Sequence, residues 1–184
     1  MFRSILSHFT LMAISLTTHS FCQPHAQELP SRSKLYYSVA SPAYEYAMTR
    51  VMGLMEQYGM VYNDGGLDMP ASSDKIEAAG FILSSYQNIS RDRGRTLIVK
   101  ATERFLKHLN SNKDVLPYLL KQPFDTNLMG VILYFGSQGE LDFVHLNAGL
   151  VTFYTRKPPF IESSPNYSES YSESLKRVLV VSSD

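Results

Sequence analysis

The stretch 90-SRDRGRTLIVKATERFLKHLNSN-112 carries a complete helix signal, with a start, a stripe and a stop. Ile98, Ala101, Phe105 and Leu109 recur at the spacing of a helix with one buried face, and Leu97 and Leu106 widen that face. Ser90 is placed to cap the first turn, since its hydroxyl can accept from an orphan N–H. Asp92 follows at the positive end of the helix dipole, and His108 falls at the end that favours a cation. Asn110, Ser111 and Asn112 make a stop, because Asn tolerates the left-handed geometry of many helix ends. The reading is a helix near 91–110 of about five turns, with an apolar face wide enough to cover a sheet. Arg91, Arg93 and Arg95 gather at its start around Asp92. They read as a solvated helix end rather than a phosphate site.

Beyond this helix, DVLPYLL (114–120) reads as one further turn, kept short by Pro117. LMGVILYF (128–135) is the clearest strand: apolar throughout, rich in β-branched and aromatic residues, and bounded by turn residues. Apolar character on both faces predicts a central position. A turn at Ser137-Gln-Gly-Glu leads to a partner strand, 141–146. Asn147-Ala-Gly leads to a third, LVTFYT (150–155), which makes an antiparallel meander over 128–155. Lys157-Pro-Pro ends it. PNYSESYSES (165–174) reads as polar and low in complexity. Tyr171, Leu175 and Val178 are spaced for a short helix near 169–180.

Before the helix, KIEAAGFILSSY (75–86) fits a strand near 76–86, bulged at Gly80. NDGGLDMP (63–70) reads as a turn-rich loop. Its Asp64 and Asp68, with Asp74, lack the spacing and the terminal glutamate of a calcium loop. Ser41-Pro42 reads as a helix start and Gly59 as its left-handed end, which predicts a helix near 42–58. Its Tyr44, Met48, Val51, Met55 and Tyr58 form a Met-rich stripe that reads as core in preference to a binding groove.

Residues 1–22 have the form of a secretory signal peptide: Arg3, then an apolar run from Ile5 to Leu16, then a polar exit. Residues 23–37, with Pro24 and Pro30, read as a disordered lead, and 38–181 as a single α+β domain. The chain is thereby expected to be exported, to a periplasmic or extracellular place. Cys22 is the only cysteine, and Phe21 before it argues against lipid attachment. No other stretch is long and apolar enough to span a membrane, so no integral membrane protein is expected after signal removal. The 17 basic and 17 acidic residues balance. That leaves no basic field for nucleic acid.

Several pieces together carry a resemblance: the loop with Gly65-Gly66, the FLKHLNSN…LPYLLKQPF block, the strand NLMGVILYF, the meander and the terminal ESYSES segment. Over roughly 38–180 the chain resembles a family of small exported proteins of unknown function from Gram-negative bacteria, especially intracellular bacteria of the chlamydia-like group. The resemblance implies an α+β domain and a life outside the cytoplasm. It brings no catalytic residue and no cofactor.

Candidate chemistry is sparse. His8, His19 and His25 fall in the signal or the lead, which leaves His108 and His145 as weak candidates for acid–base or ligand roles. The dipole at a helix end accounts for His108. Strand alternation puts His145 on a face with Phe143 and Asn147, opposite Val144 and Leu146. Glu140, Asp142, Glu162, Glu169 and Glu173 offer carboxylates, in positions that solvation alone would choose. No HExxH, CxxC or GxSxG spacing occurs, and no metal or cofactor is expected. The fold expected is an antiparallel sheet of about four strands, the meander plus the strand near 76–86, with the helices on one face. The function expected is binding of an unknown protein or a small apolar ligand. An extracytoplasmic hydrolase and a secreted host-directed factor are the alternatives. A histidine–carboxylate pair in one pocket would favour the enzyme, and a continuous apolar patch would favour binding.

Overall fold

The computed structural model describes residues 32–181 apart from 71, 137–139 and 157–162. The expected signal peptide, Cys22, most of the lead, Glu162 and the turns at 137–139 and 157–159 lie outside the described residues. The last part of the expected lead is helical. Helix α1 (Arg32–Leu35) runs through a wider π-type segment, Tyr36–Ala40, into α2 (Ser41–Met55). Ser41 therefore caps nothing. Its N–H donates to the Tyr36 carbonyl, five residues back. That widening accommodates Pro42, which has no N–H to give and would crowd the carbonyl four residues before it. A 3-10 turn, Glu56–Tyr58, then closes at Gly59 in the predicted left-handed conformation, φ 66°. Met48 and Met55 are buried, so the stripe is core.

Six strands form one sheet in the order β1-β2-β3-β4-β5-β6: β1 (Val61–Asp68), β2 (Ala78–Ser84), β3 (Met129–Tyr134), β4 (Phe143–Asn147), β5 (Leu150–Arg156) and β6 (Ser163–Ser170). The sheet is mixed. β2 and β3 are parallel, and the other neighbouring pairs are antiparallel. The expectation of about four antiparallel strands is corrected on both counts. The parallel pair follows from the long helix between its members, because parallel strands need a crossover and α3 (Arg91–Ser111) is that crossover. The two missed strands are the outer ones. The turn-rich loop read over 63–70 overlaps β1, a strand in which only Leu67 is buried. The polar segment 163–170 contains Pro165, which an edge strand tolerates. An edge strand is paired on one side only and needs no apolar run.

α3 begins as predicted, with the Ser90 hydroxyl accepting from the Arg93 N–H at 3.3 Å. Its end differs. Asn112 is extended, φ −84°, and its side-chain oxygen accepts from the Asp114 N–H at 3.0 Å, a local turn that competes with the left-handed stop. Leu97, Ile98, Ala101, Phe105 and Leu109 are all buried. The Phe105 ring meets Phe81 of β2 at 5.4 Å and Tyr44 of α2 at 5.6 Å, which locks α2 and α3 to one face of the sheet. The last helix, α4 (Tyr171–Val181), packs on the same face. It opens on a capping box inside the segment that reads as low-complexity. The Ser170 N–H donates to the Glu173 carboxylate at 2.8 Å, and the Glu173 N–H donates back to the Ser170 hydroxyl at 3.3 Å.

Candidate functional site: the uncovered face of the sheet

Strand alternation divides each strand between two environments. Phe81, Leu83, Val131, Leu133, Val144, Leu146, Val151 and Phe153 are buried beneath the helices. The intervening residues point to the other face, which no described helix covers. The register arranges them in rows. A middle row runs Ile82, Ile132, His145, Thr152 and Ser168. An aromatic row beside it runs Ser84, Tyr134, Phe143 and Tyr154. On the other side lies a row that begins with three glycines, Gly66, Gly80 and Gly130, and continues through Asn147 and Leu150 to Ser170.

The aromatic row is a ladder. Tyr134 and Phe143 have ring centroids 5.3 Å apart, and Phe143 stacks on Tyr154 at 4.1 Å with planes 12° apart. Tyr134 is 41% exposed. From strand spacing, the middle and aromatic rows over β2 to β5, with Ser84, His145 and Thr152 among them, cover on the order of 250 Å². β3 is central, as its apolar run predicts, but its second face is uncovered.

His145 sits in this patch, on the face with Phe143 and Asn147 that alternation predicts. Its cross-strand neighbours Ile132 and Thr152 carry no charge. Burial lowers its pKa, so it is neutral at neutral pH. Its nearest pairings supply no carboxylate. His108 lies apart from it, at the end of α3, edge-on to Tyr46 at 5.7 Å. Its pKa is also lowered, by burial and then by Arg104, Arg50 and Lys107. The expectation of a dipole-stabilised cation is therefore reversed: burial first, and then the three nearby cations, disfavour the charged imidazole. Its Nε2 is buried without a hydrogen-bond partner among the described residues. The structure does not bring the two histidines together.

The carboxylates are not merely solvated. Glu169 of β6 is 4% exposed and Arg95 of α3 is 5% exposed. Arg95 Nε donates to Glu169 Oε1 at 2.5 Å, and Nη2 reaches Oε2 at 3.4 Å. The Ser174 hydroxyl donates to the same carboxylate at 2.5 Å, Arg177 approaches it at 3.5 Å, and Arg95 also binds Asp92. The Arg95 guanidinium lies over the Phe153 ring, 5.2 Å from its centre. Burial works against the charge on Glu169, but the bonds from Arg95 and Ser174 outweigh it and hold its carboxyl below the usual range. Arg95 is thus an anchor between α3 and the β6–α4 corner rather than a solvated residue. Glu140 likewise serves α3, accepting from the Arg91 N–H at 3.0 Å. Asp142 is buried, and Glu173 is the capping residue.

A cleft of about 600 Å³ between α3 and α4 is lined by Arg93, Arg95, Lys176 and Arg177. Most of those charges are already engaged. Arg95 and Arg177 meet Glu169, and Arg93 lies over Tyr58 at 4.6 Å. A second cavity of about 520 Å³ opens along the glycine row. Nothing in the sequence marks that row, because its glycines are spread from Gly66 to Gly130 and align only once the register is known. No group of three or more possible metal ligands occurs among the described residues, and no described helix is long and apolar enough to cross a membrane. Comparison with protein-family models, with curated proteins and with solved structures gives no match.

Proposed function

We propose that this chain is an exported binding protein that engages a partner protein or a small apolar ligand through the uncovered face of its sheet. The observation that carries the reading is the ladder Tyr134, Phe143 and Tyr154, stacked and continuous with Ile82 and Ile132, in a patch whose one acidic residue, Asp64, pairs with Ile82 at the β1 edge. Stacked aromatic rings on an open face bring large, rigid apolar area to a contact at little cost in side-chain entropy. The hydrolase alternative has less support, since among the described residues His108 Nε2 is buried without a partner and burial is the cause that shifts His145. Export and membership of the family of small exported bacterial proteins belong to the same proposal. They rest on the apolar N-terminal run and on the motifs named above.

Site-specific photo-crosslinking tests the reading. A photoreactive residue at position 134 should capture a defined partner from the native envelope or from host material, and Phe143→Ser should abolish the capture. The same group at position 107, on the exposed side of α3, should capture nothing above background. Equal yields from the two positions would overturn the proposal, as would hydrolytic turnover lost on His145→Ala.

A further inference from the structure

We propose that the outer edge of β1, together with the groove between β1 and α2, takes up an extended segment of a partner protein as an added strand, apolar at alternate positions and basic at those between. This is a second surface, independent of the aromatic row. The two edge strands of the sheet differ. β6 contains Pro165, and proline is one of the devices that blunt an edge. β1 has eight residues and neither proline nor lysine. Its bulge, between Tyr62 and Asp64, leaves Asp64 to Asp68 in unbroken register with β2. Among the described residues no strand pairs with its outer side. The Gly65 N–H donates to the Asp64 carboxylate at 2.7 Å, and the Gly65 carbonyl accepts from the Tyr62 hydroxyl at 3.4 Å. Both bonds are exposed and lie within the strand itself, so an incoming strand can replace them. A free edge offers its backbone groups to an extended peptide, whose alternate side chains then reach the two faces of the sheet.

The register fixes what those side chains meet. Tyr62 pairs with Leu83 and lies on the helix side, whereas Asp64, Gly66 and Asp68 pair with Ile82, Gly80 and Ala78 and lie on the open side. On the helix side, a groove of about 600 Å³ is lined by Tyr44, Met48 and Met52 of α2 and by Tyr62. Thioethers and rings there suit large apolar side chains of varied shape. On the open side Asp64 and Asp68 suit lysine or arginine. Glu45 and Glu56 add the same sign at the groove, and no lysine, arginine or histidine lines it among the described residues. Among the described residues none of these four carboxylates is in an ion pair. A second copy of the chain on this edge would bring Asp64 and Asp68 of both copies together with no cation between them. Residues 23–31 hold Pro24, Pro30 and Glu28 and no lysine or arginine, so they do not fit the edge either.

The test uses the full chain and a labelled eight-residue peptide of alternating leucine and lysine, read by fluorescence anisotropy and by amide hydrogen exchange. The expected result is saturable one-to-one binding with slowed exchange in β1. Glutamate in place of lysine should weaken binding at least tenfold. Methylation of every backbone nitrogen of the peptide should do the same, because it removes the donors of an added strand. Gly53 lines the groove, and a Cβ there would meet nothing within 4 Å. Gly53→Leu should therefore fill the groove and weaken binding at least fivefold, while the melting temperature holds or rises because glycine is a poor helix former. Absence of saturable binding by the leucine–lysine peptide would overturn the proposal. So would equal binding of the glutamate or the methylated peptide, or binding undiminished in Gly53→Leu. A dimer of the chain with its β1 amides protected from exchange would assign the edge to a second copy and overturn it too. Phe143→Ser should leave peptide binding intact, so this edge and the aromatic row are read separately.

Discussion

The two faces of the one sheet are built from the same strands, yet they answer to different physics. On β3, Met129, Val131 and Leu133 are buried under α3, while Gly130, Ile132 and Tyr134 alternate with them toward the open side. The covered face is closed by large apolar side chains and by a buried ion pair at its far corner. The open face carries Ile82, Ile132, Phe143 and two tyrosines beside His145 and Thr152, and no described helix lies on it. Hydrophobicity therefore does not separate core from surface in this strand. Coverage does, and coverage is decided by the helices: among the described residues α2, α3 and α4 pack on the side of the sheet that carries Phe81 and Phe153. An uncovered apolar row keeps its driving force for contact, which is why binding is assigned to that side.

The sharpest way to break the comparison is to truncate one ring on each face. Phe105→Ala should cost about 3–5 kcal/mol in a denaturant melt, since the ring is fully buried between α2, α3 and β2. Tyr134→Ala should cost about 1 kcal/mol or less, because its ring is partly in water already. Equal losses would mean that the open face is covered in solution. The second largest effect concerns the corner. Arg95→Met leaves Glu169 buried with Ser174, Arg177 and Tyr167 to meet its charge, and should cost about 2–4 kcal/mol. Replacing Arg95 and Glu169 together by methionine should cost less than the single change, as measured in a double-mutant cycle.

The smallest effect is one of pH. His145 and His108 both have folded-state pKa values below the ordinary imidazole value. Just below that value, at about 6.5, the unfolded chain takes up the proton and the folded chain does not. Stability should therefore be full above about pH 7 and decline on acidification through the histidine range. The depressed Glu169 adds a separate loss at lower pH, which begins as the pH falls past the ordinary carboxylate value and is complete once it has passed through the folded one. Melting of His145→Gln at pH 7.5 and 5.5 checks this, with a smaller difference between the two conditions than in the parent chain.

Much of the local structure is legible in the sequence because its causes are local. The stripe Ile98, Ala101, Phe105 and Leu109, the cap at Ser90, the stop at Gly59 and the apolar run of β3 each act within one or two turns of chain. The face of His145 is legible too, since alternation along a single strand places it. The misread elements are those whose role comes from elsewhere. β1 and β6 look like loops because edge strands bury little of themselves, and Glu169 looks solvated because its partner Arg95 lies 74 residues away.

The sequence by itself determined where the helices and central strands form and which residues of each share a face, because periodicity and capping are properties of short segments. Only the tertiary structure decided the parallel pairing of β2 and β3, the burial of Arg95 against Glu169, the side of the sheet left open and the alignment of Gly66, Gly80 and Gly130. Those depend on which distant segments come together, and the register that joins them is set by the packing of the whole core rather than by any one stretch of chain.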